Sequence, residues 1–137
     1  MLILDRKEEN SKVNIGVVGT GFGRYGLTPA FRQDERCRVS ALCSQSQESL
    51  LQWSKELNIP HTYTSYMEMI DSGGIDAIAI ASPPLVQEDI IRYALSKKIP
   101  VFAEKPLGLN LEAIQSFCDI CKRKDIPNIM DFNFNGI

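Results

Sequence analysis

The chain has 137 residues, of which 44% are hydrophobic and 23% charged, and its formal net charge is −2. That length holds one domain with a real core and falls short of two. The near-neutral charge, without a basic block, argues against a nucleic-acid or membrane surface, and no apolar run is long enough to span a bilayer. A cytoplasmic protein is expected.

Residues 1–12 are polar and mixed in charge, apart from four apolar positions too few for a signal-peptide core. They read as a leader with no chemistry of its own. Residues 13–18 form a nearly continuous apolar run, the pattern of a strand buried on both faces. Gly19-Thr20-Gly21-Phe22-Gly23-Arg24 follows at once. A strand pattern that meets clustered glycines and then a helix pattern is how a dinucleotide-binding unit begins. The turn lets backbone approach a pyrophosphate, and the helix aims its N–H groups at it.

A helix is predicted over about 23–33, with a kink or late start at Pro29. Residues 36–43 read as the second strand. Ser44-Gln45-Ser46 caps a helix over 47–57, stopped by Asn58-Ile59-Pro60. A short strand at 61–64 and a short helix at 66–71 come next, the latter ended by Ser72-Gly73-Gly74. Residues 76–81 form another buried strand, and Ser82-Pro83-Pro84 turns the chain. A helix over 86–97 has Ile90, Ile91, Ala94 and Leu95 on its inner face. A fifth strand at 100–103 leads into Glu104-Lys105-Pro106-Leu107-Gly108. Asn110 caps a helix to Lys124, whose basic last turn complements the helix dipole. A strand-like segment covers 126–134.

The four cysteines read as core residues. Cys118 and Cys121 share a helical face with Ile114 and Phe117, and Cys37, Val39, Ala41 and Cys43 alternate as one face of a strand. Disulfides are not expected in a reducing compartment, and no metal site is read. The single histidine, His61, reads as a surface residue after Pro60.

Strands alternate with helices throughout, which implies right-handed crossovers. The fold class expected is α/β: a Rossmann-type, doubly wound parallel sheet. Ligands of such sheets lie at the carboxyl ends of the strands. The loops at 19–24, 82–85 and 104–107 should therefore converge on one crevice.

Taken together, the glycine turn, Ala81-Ser82-Pro83-Pro84 and Glu104-Lys105-Pro106-Leu107-Gly108 resemble the Gfo/Idh/MocA oxidoreductases, over about residues 13–134. The resemblance implies an NAD- or NADP-dependent hydride transfer on a sugar, polyol or related compound, free or nucleotide-linked. It implies a catalytic role for Lys105 beside the nicotinamide and substrate, aimed by Pro106, whose peptide bond could be cis. The cofactor-binding residues implied are Gly19, Thr20, Gly21, Phe22, Gly23, Arg24, Ser44, Ser82, Pro83, Glu104, Lys105 and Pro106.

Three positions depart from the family pattern. Arg24 holds the third glycine place, where the helix normally packs on the strand, so it must point elsewhere or the turn must shift toward Gly26. Ser44 stands where an NAD-preferring turn carries an acid, and its size leaves room for a 2′-phosphate. That leans the cofactor slightly to NADP, although Gln45 replaces the arginine NADP users often show. Gln87 stands where the helix after Pro83-Pro84 usually opens with a histidine.

The expected division is a leader at 1–12, a dinucleotide-binding domain at 13–128, and a first strand at 129–137 leading into a second, absent α/β domain. That domain would supply the substrate pocket and the proton relay, so this chain alone is expected to bind cofactor without turning over a substrate. A truncated enzyme, a fragment and a gene remnant all fit that expectation. The alternative is a non-catalytic nucleotide-binding or scaffold module. In that case the strand ending at Phe134 would be an edge or a dimer seam, and a homo-oligomer stays open. A methyltransferase would want the missing acid and would leave Glu104-Lys105-Pro106 unexplained.

Overall fold

The computed structural model describes residues 11–131. The leader up to residue 10 and the segment 132–137 lie outside the described residues. The elements alternate as read: β1 (Val13–Val18), α1 (Thr28–Arg32), β2 (Cys37–Cys43), α2 (Gln47–Leu57), β3 (His61–Tyr63), α3 (Tyr66–Asp71), β4 (Ala77–Ile80), α4 (Pro84–Ser96), β5 (Val101–Glu104), α5 (Leu111–Lys124) and β6 (Asn128–Asp131). The strands form one six-stranded sheet in the order β3-β2-β1-β4-β5-β6, and every pairing is parallel. This is the doubly wound order, with its switch point between β1 and β4. Residues 129–131 thus belong to the outer strand of this sheet.

Each face of the sheet carries its own core. Ile15, Val17, Val39, Leu42 and Ala79 meet Leu50 and Trp53 of α2 on one side. Val18, Ala41, Cys43, Ile78 and Ile80 meet Met69, Ile90, Ala94 and Phe117 of α3, α4 and α5 on the other. The alternation in β1 follows from the period-two geometry of a strand.

In β2 that alternation breaks, and the expectation of one shared face for Cys37, Val39, Ala41 and Cys43 is corrected. Ile15 pairs with Val39, but Gly16 pairs with Ala41, so Ser40 is an extra residue. A bulge of one residue flips the phase of everything beyond it. Cys37 and Val39 therefore face the α2 side, while Ala41 and Cys43 face the α4 side.

The glycine turn does not enter α1 directly. Residues Gly23–Leu27 make a widened π turn, and regular helix starts at Thr28 with Pro29 in its first turn. The cause is the proline ring, which would strike the carbonyl four residues earlier in a continuous α-helix. Thr28 stabilises the wide turn, since its Oγ1 and its backbone N–H both reach the Gly23 carbonyl. Other boundaries also have local causes. β2 starts one residue late because Asp34 captures the Arg36 backbone N–H at 2.9 Å. α4 starts at Pro84, where a missing N–H costs nothing. Ser46, Ser65 and Asn110 cap α2, α3 and α5 by accepting N–H bonds three residues on.

Candidate functional site

The carboxyl edge of the sheet is held together by three backbone hydrogen bonds. Gly19 N–H donates to Cys43 O at 3.1 Å, Ser44 N–H to Tyr63 O at 3.1 Å, and Ala81 N–H to Val18 O at 2.9 Å. They join the loops after β1, β2, β3 and β4 side by side. A cleft of about 500 Å³ opens above them. Gly19, Thr20, Gly21, Ser44, Ser82 and Pro83 line it, so the structure brings these six sequence-read residues together.

Two glycines in the turn have different reasons. Gly19 has φ +111°, and a Cβ there would lie 2.1 Å from Ala81 O, so the turn is pressed against β4. A Cβ on Gly21 would meet nothing within 4 Å. The protein's own packing does not require glycine at 21, whereas close approach of a ligand to the backbone would. Gly23 supplies the close helix–strand contact expected one position later. Its Cβ would lie 3.2 Å from both Val17 Cγ1 and Val18 O.

Because Gly23 makes that contact, residue 24 falls on the outer side of the turn. The Arg24 guanidinium pairs with Glu56 of α2 and sits 4.9 Å from the centre of the Tyr25 ring. Arg24, read from the sequence as a cofactor contact, does not line this cleft. The turn has not shifted to Gly26 either, since the Phe22 ring covers that glycine. Phe22 and Gly23 shape the turn without lining the cleft.

Ser44 is half-buried, and its Oγ accepts the Ser46 N–H at 3.3 Å. Sequence reasoning missed Thr64, Ser65, Tyr66 and Met67, which line the same wall. They follow β3, which lies beside β2 in the sheet, and strand order is the signal that would have found them. Cys43 also lines the cleft, but burial pushes its thiol up to about 12, with the nearby Glu68 charge adding to the effect. It is no nucleophile near neutral pH.

Glu104, Lys105 and Pro106 lie one strand further along, at the end of β5, and do not line this cleft. The Lys105–Pro106 peptide bond is cis. Gln87, buried at the start of α4, donates its amide to Glu104 O and to Pro106 O, the latter at 2.8 Å. Among the described residues, no group of three or more His, Cys, Asp or Glu side chains could hold a metal ion, and no helix is long and apolar enough to cross a membrane.

A glycine turn at the switch point, with Gly21 open to a ligand, fits a dinucleotide. The family model for Gfo/Idh/MocA, an oxidoreductase family with an NAD-binding Rossmann fold, matches residues 13–132. The chain belongs to the Gfo/Idh/MocA family. Among its relatives, the D-xylose 1-dehydrogenase (NADP(+)) 2 of Haloferax volcanii is 29% identical over 78% of this chain and 33% of its own. The myo-inositol 2-dehydrogenase of Thermotoga maritima is 25% identical over 88% of this chain and 36% of its own. The scyllo-inositol dehydrogenase of Lactobacillus casei, solved with NAD(H) and scyllo-inositol, superposes with a TM-score of 0.80 at 27% identity, over 88% of this chain and 36% of its own. The chain spans about a third of the length of the curated relatives it matches.

Proposed function

We propose that this chain is the nicotinamide-dinucleotide-binding part of an oxidoreductase that moves hydride to or from a sugar- or polyol-like substrate. The observation that carries the reading is the cleft over the switch point, where Gly19 is pressed on Ala81 and Gly21 stands open. Gly19, Thr20 and Gly21 would take the pyrophosphate, Ser44 the adenosine ribose, and Ser82 and Pro83 the opposite wall. The cofactor supplies a carbon that gives or accepts hydride. Lys105 would then donate a hydrogen bond to the substrate oxygen and stabilise charge there. The relatives' names, which include xylose and inositol dehydrogenases, support the substrate class.

The small hydroxyl of Ser44 leaves room for a 2′-phosphate and tilts the choice slightly to NADP. Calorimetric titration with NADPH and then NADH tests both points. We expect saturable binding, weakened at least tenfold by Gly21→Val and clearly, though less, by Lys105→Ala. Wild-type affinity in Gly21→Val would remove the assigned cleft from consideration, and wild-type affinity in Lys105→Ala would remove the place given to Lys105 beside the nicotinamide. A scaffold module is the second reading, favoured by Ile129 and Met130, which stand exposed on the outer strand. Nucleotide-dependent association without turnover would support it.

A further inference from the structure

Gln87 is 1% exposed on the first turn of α4. Its amide nitrogen donates to the carbonyls of Glu104 and Pro106. These two carbonyls flank Lys105 on either side. We propose that Gln87 is the positioning residue for Lys105, holding the main chain before and after the lysine so that its side chain leaves the loop in one direction. This inference rests on the role given to Lys105 above.

The arrangement carries a cost that a packing role would avoid. Gln87 Oε1 is buried and has no hydrogen-bond partner among the described residues. A side chain of similar volume without polar atoms would fill the same space with no orphaned oxygen. The opposite amide orientation would set Oε1 against two carbonyl oxygens, so the two acceptors determine which way the amide points. What the orphan oxygen accompanies is a pair of donors spent on one loop.

The neighbouring residue acts on the same loop. Glu88 accepts the Leu109 N–H at 3.0 Å and is itself bonded to Arg92 at 3.0 Å. One turn of α4 therefore holds the β5–α5 loop at Glu104, Pro106 and Leu109. Lys105 lies between the first two anchors with its side chain exposed. A lysine has a long flexible stem, and tethering its main chain narrows the directions that stem can search.

The test separates the nicotinamide end of the ligand from the adenosine end. NADH and ADP-ribose are titrated into the wild-type chain, into Q87L, which fills the space without donors, and into Q87H, which keeps one ring N–H. Amide exchange is followed over residues 104–109. Wild type should bind both ligands. Q87L should keep its ADP-ribose affinity, lose about tenfold in NADH affinity, as expected for one or two lost hydrogen bonds, and exchange faster only in the loop. Q87H should fall between the two, and it carries the test alone if Q87L fails to fold.

Wild-type binding of both ligands, with NADH affinity and loop exchange unchanged in the variants, would overturn the positioning role and leave the cofactor reading intact. Equal loss of both ligands would also overturn it, by making Gln87 a support of the whole cleft. Failure of wild type to bind either ligand would overturn the cofactor reading, and this inference with it.

Discussion

Gly19 and Gly21 are two residues apart, yet only one of them is demanded by the fold. At Gly19 an alanine meets both a left-handed backbone and the Ala81 carbonyl at 2.1 Å. Gly19→Ala should lose about 2 kcal/mol or more of stability in denaturant unfolding. Gly21→Ala should unfold close to wild type, because its Cβ enters open space. Its effect should fall on nucleotide binding instead. If the two variants unfolded alike, the division of labour within the turn would be wrong. Arg24 lies in the same turn. Its salt bridge to Glu56 is solvent-facing and contributes little to stability, but it directs a cation away from the turn.

At the scale of elements, α4 links the two halves of the carboxyl edge. Its N-terminal turn follows the Ser82–Pro83 loop and grips the loop after β5. Glu88 is the titratable part of that grip. The Leu109 N–H, and then Arg92, hold its carboxyl below the usual glutamate value. A depressed carboxylate contributes stability above its unfolded pKa of about 4.3, and that contribution is lost as pH falls through the folded value. Exchange protection at Leu109 should therefore weaken below about pH 4 in wild type. Glu88→Gln should show the weakened anchor already at neutral pH and lose this acid step. An acid step that persists in Glu88→Gln would assign it to another carboxylate.

At the scale of the molecule, helices cover the sheet on both faces, and β6 is one of its two outer strands among the described residues. Ile129 is 61% exposed on it. Unpaired strand edges with apolar side chains promote association. The 137-residue chain should show a concentration-dependent increase in sedimentation coefficient, and Ile129→Lys should abolish most of it. A wild-type chain that stays monomeric at high concentration would show that this edge needs no cover.

The run of elements, the fold class and the position of the glycine turn are legible from the residues alone. Those signals are local: period-two and period-3.6 patterns, serine and asparagine caps, and glycine at a turn are written within a few residues of where they act. Pro29 even announced the irregular start of α1, because its ring acts only four residues back. Tertiary structure decided the rest. The bulge at Ser40 reversed the faces of Ala41 and Cys43, and no alternation count can see an extra residue that exists only relative to a partner strand. Strand order brought Thr64 to Met67 beside the glycine turn, although some 45 residues separate them in the chain. Arg24 turned to Glu56, and Gln87 went into the interior against two carbonyls of another loop. Each of these depends on a contact between distant segments, and such contacts form only when the sheet sets its neighbours.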